Sequence, residues 1–354
     1  MTNPYGSLPD RQFWRRSIGQ VEPHRVDPVT APRFRLGAAD KVITAGSCFA
    51  QHIAARLIEI GRGFHVAEAG EHLPEQERRR HGYGVFSARS GNIYTVAQMR
   101  QLLDEALCRR TPLDRELLRP DGRLVDPWRQ QIEPDGFATQ DALRADRARH
   151  LAAVRAMFEE ADVFIFTLGL TEGWRARADG SVYSAAPGVI AGTFDPDRDE
   201  FVNFGIDAVR EDLFALLATL REINAGLRVI LTVSPVPLIA TFEPRSVLVS
   251  TSYSKAVLRV AADEALRRHD WVDYFPSYEI ITGSFSGGLY YEDDGRSVNR
   301  LGVAHAMRCF TANFIDQATD EAAAVAVDDP ANGRSSLAGG IVCDEEALDT
   351  LRQR

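Results

Sequence analysis

The sequence predicts an α/β protein: a three-layer α/β/α arrangement with helices on both faces of a mostly parallel, five-stranded sheet. Three observations carry the prediction. Val163-Phe164-Ile165-Phe166-Thr167-Leu168 and Arg228-Val229-Ile230-Leu231-Thr232-Val233-Ser234 are almost continuously apolar, as strands covered on both faces are. Stretches with apolar residues at helical spacing alternate with such runs along the chain, the pattern of a parallel sheet between helices. The longest runs end in Gly or in Ser-Pro, and in such sheets ligands sit beyond the carboxyl ends of the strands.

Taken in order, residues 1–40 mix Pro, Arg and aromatic residues without periodicity. They read as an arm packing on the main domain through Phe13, Trp14 and Phe34. The domain proper spans 41–320. Lys41 to Ala45 forms the first strand, and apolar side chains from Phe49 to Ile60 recur at helical spacing. Gly61-Arg62-Gly63 ends that helix, and Phe64-His65-Val66-Ala67 supplies a second, short strand.

An insertion follows near 68–135. It holds the Gly- and aromatic-rich stretch Gly82 to Thr95, a helix from Val96 to Leu107 capped by Thr95, and a hairpin in which Arg123-Leu124-Val125-Asp126 turns back through Gln131-Ile132-Glu133. Arg78-Arg79-Arg80, flanked by Glu75 and Glu77, reads as a solvated loop. A charged amphipathic helix over 139–160 buries Leu143, Leu151, Val154 and Phe158 and leads into the 163–168 strand.

A second insertion near 175–204 consists of turns and short strands. A helix over 206–223, the 228–234 strand, a helix over 252–268 and a last short strand, Trp271 to Phe275, complete the alternation. The final helix runs from Asn299 to Ala318. Residues 321–354, rich in Ala, Asp, Gly and Ser, read as a disordered tail.

A net charge of −9 and a pI near 5.5 argue against a nucleic-acid binder, which carries a basic face. Cys48, Cys108, Cys309 and Cys343 are far apart and form no CxxC pair, so neither a disulfide framework nor a zinc site is expected. With no apolar segment behind a basic start and no run of eighteen apolar residues, the expected setting is soluble and cytoplasmic. No cofactor and no metal are expected. Asp293 and Asp294 lack further ligands at suitable spacing and read as a solvated loop.

Lys41 to Ala50 organises the candidate site. Ser47 and Cys48 fall on a strand-to-helix turn, with Gly46 providing the bend. Unpaired N–H groups and the positive dipole end there suit a developing oxyanion. Ser47 can be a nucleophile or an ordinary helix cap, and Cys48 a low-pKa thiolate or a small buried residue. The carboxyl-edge rule gathers the Ser47 turn with the loops after Gly169, Ser234 and Tyr278-Glu279. Glu172 and Glu279 can orient or deprotonate a partner or accept backbone N–H groups, and Trp174 and Tyr278 can stack on a sugar ring or fill the core.

Ala45-Gly46-Ser47-Cys48-Phe49-Ala50 resembles the signature of the GSCFA family. Gly91-Asn92-Ile93-Tyr94-Thr95, Thr167 to Trp174, Thr232 to Leu238 and Phe275 to Ile280 resemble its further blocks, over roughly residues 40–315. The resemblance implies an SGNH/GDSL-hydrolase-like, flavodoxin-like fold and an acyl-ester hydrolase or acyltransferase, with a small-molecule or glycan acyl substrate. A non-catalytic carbohydrate- or ligand-binding module on the same fold is the alternative.

The resemblance makes Ser47 the nucleophile and Gly169 an oxyanion donor. Thr171 stands where an Asn would donate, with Asn92 as a substitute donor. Loss of one such donor costs about 3–4 kcal/mol of transition-state stabilisation. The usual Asp-x-x-His departs here: Asp294-Gly295-Arg296-Ser297 ends in serine. His305, further along the final helix, is then the candidate base, and His52 another, with a buried structural histidine as the competing reading. Cys48, Asn92, Trp174, Ser234, Tyr278, Glu279 and Asp294 are the expected substrate-contacting residues.

Overall fold

The structure, a computed structural model, describes residues 3–113 and 116–316. The expected tail at 321–354 and Cys343 lie outside them. Short turns through the first forty residues precede β1 (Val42–Gly46) and α1 (Phe49–Glu59). The first insertion contains α2 (Glu75–Arg80), α3 (Val96–Ala106), β2 (Leu117–Leu118) and β3 (Leu124–Val125). Then come α4 (Gln140–Glu160), β4 (Val163–Leu168), β5 (Glu172–Ala176), β6 (Asp199–Asn203) and α5 (Ile206–Ile223). The chain closes with β7 (Arg228–Val233), α6 (Val247–Arg268), β8 (Val272–Tyr274), α7 (Ser277–Thr282) and α8 (Arg300–Phe314).

The central sheet is parallel, in the order β1-β4-β7-β8. Side chains alternate across it because the strand period is two. Ile43, Phe164, Phe166, Val229 and Leu231 face one core with α3, α4, α5 and α6. Val42, Val163, Ile165 and Ile230 face a second core with α1, α7 and α8. The two apolar layers explain why β4 and β7 read as unbroken hydrophobic runs.

Among the described residues the sheet has four strands, not five. Phe64 makes only an isolated parallel bridge to Val42. Farther along, the outer edge of β1 is occupied by the loop before α3. Thr44 N–H donates to Ser87 Oγ at 3.0 Å, and Ile93 N–H donates to the Gly46 carbonyl at 2.8 Å. These contacts take the edge groups that a longer strand would have used.

Other local expectations shift for similar reasons. β3 pairs antiparallel with β2 and bridges Phe137, rather than turning back through residues 131–133. The three arginines fall in the short α2, where Arg80 pairs with Asp135 at 2.6 Å. The arm crosses α8, with Leu36 N–H donating to the Phe314 carbonyl at 2.7 Å. Phe34 packs on the second core, whereas Trp14 is 68% exposed and anchors nothing.

Between the first insertion and α4 lies a buried ionic network. Arg89 bridges Asp146 and Glu133, and Arg129 bridges Asp126 and Asp146. Arg147 pairs with Glu105 and Asp126, and His150 with Glu68. Burial raises the Asp126 carboxyl, but Arg147 and Arg129 outweigh it and hold the group down at about 2. Burial, with Arg129 nearby, pushes His150 down to about 4 against the pull of Glu68, and burial alone takes His52 to about 4.

Both histidines stay neutral when folded, whereas an unfolded imidazole titrates near 6.5. As pH falls, the unfolded chain takes up protons first. The contribution of these two histidines to stability is therefore full above pH 6.5 and is lost as pH drops towards 4. Urea midpoints measured across that window should fall, and a His52→Gln variant should show a shallower decline.

Candidate active site

Ser47 sits at the carboxyl end of β1. Gly46 before it has φ +132°, and a Cβ there would lie 2.2 Å from the Thr167 carbonyl oxygen. Only glycine lets β1 run this close to β4 and then turn into α1. The Ser47 N–H donates to the Thr167 carbonyl at 3.3 Å, and its own carbonyl accepts from Ala50 at 2.8 Å. The residue is 3% exposed, and among the described residues its Oγ has no hydrogen-bond partner. Thr167, paired in register with Gly46, carries a second buried hydroxyl with none. A buried polar group left unsatisfied costs about 1–3 kcal/mol, so this pair calls for a reason other than stability.

Gly169 lies against the serine. A Cβ at Gly169 would be 3.2 Å from Ser47 Cβ and 2.8 Å from the Tyr94 carbonyl oxygen. That carbonyl accepts the N–H groups of Gly169 at 3.2 Å and Leu170 at 2.8 Å. From α6, the buried Lys255 ammonium donates to the Gly169 carbonyl at 2.8 Å, and Ser254 Oγ accepts the Thr171 N–H at 2.9 Å. Two neighbouring residues of one helix thus clamp the loop.

Thr171 is not an open donor. Its N–H goes to Ser254, and its hydroxyl donates to Asn203 Oδ1 at 2.7 Å. A short side chain facing β6 cannot also reach an oxyanion beside Ser47. Asn92, in contrast, stands next to Ile93, whose N–H binds Gly46. Asn92 Oδ1 accepts from Gln51 Nε2 at 3.2 Å, within the first turn of α1. Cys48 is buried at the N-cap position of α1 and is not in a disulfide.

His305 is committed elsewhere. Its Nε2 donates to the Val26 carbonyl at 2.7 Å, and Nδ1 accepts from the Tyr290 hydroxyl at 2.6 Å. Burial lowers its pKa, so the ring is a neutral structural bridge between α8 and the arm. No lone pair remains for the Ser47 proton. His52 packs its ring against Phe49, with 5.3 Å between centroids.

The remaining expected residues divide. Ser234 N–H donates to the Leu168 carbonyl at 2.8 Å, and its Oγ accepts from Val236 at 3.3 Å, so it shapes the turn after β7. Asp294 accepts the N–H groups of Arg296 and Ser297 and the Ser297 hydroxyl. This closes a turn that Tyr291 fastens to the Pro235 carbonyl at 3.1 Å. Glu279 accepts from Arg259 and Tyr274 on the flank of the sheet, and Tyr278 packs on the first core. Trp174 and Tyr278 therefore share no stacking surface.

Trp174 and Glu172 instead line a cavity of about 320 Å³. Tyr94, Leu170 and Leu238, a small apolar cluster of their own, border it. Trp174, Phe201 and Phe242 meet there edge to face or tilted, with centroids 4.8–5.7 Å apart. The cavity and Ser47 thus adjoin successive residues of one loop: Gly169 touches the serine and Leu170 the cavity.

Sequence reasoning missed Lys255, Ser254 and Thr167. A signal existed for Lys255, a charged residue among the buried positions Ser254, Val257 and Leu258 of α6. Among the described residues, no helix is long and apolar enough to cross a membrane. No group of three or more His, Cys, Asp or Glu side chains among them is placed to hold a metal. The model of the GSCFA family matches residues 41–310, from just before β1 into α8. No curated protein matches the chain.

Proposed function

The chain belongs to the GSCFA family, and from that premise we propose a serine-dependent acyl-transfer enzyme that hydrolyses an acyl ester or passes its acyl group to an alcohol. Kinship with the SGNH hydrolases, suggested by the motif blocks, is part of this reading. The observation that carries it is the buried Ser47 hydroxyl, without a partner among the described residues, at the carboxyl edge of a parallel sheet and the start of a helix.

In this reading Ser47 Oγ attacks the ester carbonyl carbon, the acyl–oxygen bond of the ester breaks, and the Ser47 proton ends on the leaving alkoxide, which departs as the alcohol. Water or an acceptor alcohol then releases the acyl group from Ser47. The start of α1 favours negative charge, and Asn92, held at the same strand end, is the proposed side-chain donor to the oxyanion. The proton acceptor is not His305 in the conformation described.

Two measurements test the proposal. Ser47→Ala should abolish turnover of short-chain acyl esters and prevent a serine-reactive phosphonate from adding to the intact mass. The same change removes an unsatisfied buried hydroxyl, so it should raise stability by about 1 kcal/mol. Turnover that survives Ser47→Ala would remove the serine mechanism. The engagement of both His305 nitrogens favours a second reading, a ligand-binding module on the same fold. Wild-type protein that takes no phosphonate adduct under any condition would support it.

A further inference from the structure

We infer that the cavity beside Leu170 is a pocket for an apolar chain, the acyl part of the substrate, and not a site for a sugar ring. The word acyl rests on the reading above, whereas the apolar character rests on the lining alone. A sugar needs donors and acceptors left open to it, and at this wall Thr95, Gln98, Glu172, Tyr183 and Ser184 already bond to the protein, so that the Trp174 indole N–H is left to stand among apolar groups.

Thr95 Oγ1 donates to Gln98 Oε1 and accepts from Gln98 N–H. Gln98 Nε2 donates to the Tyr183 carbonyl, while its Oε1 also accepts the Tyr94 and Thr95 N–H groups. Glu172 accepts the Thr241 hydroxyl on one oxygen and the Phe242 N–H on the other. The Tyr183 hydroxyl donates to Asp199, and Ser184 Oγ donates to the Pro127 carbonyl.

What faces the space is aromatic and aliphatic. Phe242, 65% exposed, and Phe194, 46% exposed, stand around Trp174. Large apolar side chains left in water beside an apolar hollow mark a binding surface. The volume, about 320 Å³, falls at the small end of ligand pockets, about 300–1,000 Å³. That suits a chain of modest length better than a large headgroup. Gly169 abuts Ser47 and the next residue borders the cavity, so in this proposal the carboxyl end of the chain lies on the side of the serine.

The test is calorimetric titration with neutral straight-chain alcohols from butanol to decanol, which avoid charge next to Glu172. Affinity should tighten about fourfold per added methylene and level off once the chain fills the cavity. Glucose and N-acetylglucosamine should neither bind nor displace the alcohols. Ala186→Phe and Ala240→Phe, which fill the cavity from two different segments, should each weaken octanol at least tenfold while the thermal transition is retained.

The titration is run on wild type and on Ser47→Ala. Alcohol binding by both, without any phosphonate adduct, would sink the serine mechanism and leave the pocket standing. Affinity independent of chain length, binding unaffected by both filled variants, or competition by the monosaccharides would overturn the inference.

Discussion

A Gly46→Ala variant is expected to lose more than about 4 kcal/mol of stability and to express mostly as unfolded protein. Two costs combine. The φ of +132° excludes L side chains, and the added Cβ would stand 2.2 Å from the Thr167 carbonyl oxygen. Strained backbone alone costs about 1–3 kcal/mol. The contact cannot relax by rotating a side chain, because both partners are backbone of paired strands. Gly91→Ala is the control: its φ is +68°, but nothing lies within 4 Å of the new methyl. It should cost about 1–2 kcal/mol. Urea denaturation of the two variants separates close approach from dihedral strain, and equal losses would contradict the account.

Arg89→Met is expected to cost about 3–5 kcal/mol, the usual consequence of breaking a buried ion pair from one side. The guanidinium is 1% exposed and uses all three nitrogens. Nε donates to the His81 carbonyl, NH1 to Asp146 and the Tyr83 hydroxyl, and NH2 to Glu133 and the Ile132 carbonyl. Methionine fills much of the volume but leaves Glu133 short of a partner and Asp146 with one fewer. Arg89→Lys should recover less than half, since one ammonium cannot match a planar fork of five N–H groups. Combining Arg89→Met with Asp146→Leu should lose less than the sum of the single changes. Additive losses would show that the network is not coupled. Because Asn92 follows three residues later, the proposed serine mechanism predicts that the single variant also slows acyl-ester turnover.

The parts of this fold legible in the sequence were those whose cause is local. β4 and β7 read as buried strands because both faces are apolar, and Gly46-Ser47 read as a turn because the apolar run stops at a glycine. The fifth strand was misread for want of a local signal. Phe64 to Ala67 has a strand's composition, but whether it pairs depends on Ser87 and Ile93 taking the β1 edge. His305 was ambiguous for the same reason, since the carbonyl that binds it belongs to Val26, 279 residues away. The 139–160 helix reads only as charged and amphipathic, because sequence spacing does not show that Arg89 and Arg129 reach Asp146 from another segment. Lys255 was the one legible clue passed over.

The loop that replaces the missing strand has a bearing on how molecules meet one another. An open sheet edge is a template on which a second chain can add a strand, and proteins commonly guard such edges. By donating to Gly46 and accepting from Thr44, residues 87–93 deny β1 to any neighbour along the stretch next to Ser47. The same seven residues include Asn92, whose Oδ1 accepts from Gln51 in the first turn of α1. Self-association through this rim would therefore have to displace a loop of the candidate site first, which ties the guarding of the sheet edge and the proposed site to one short piece of chain.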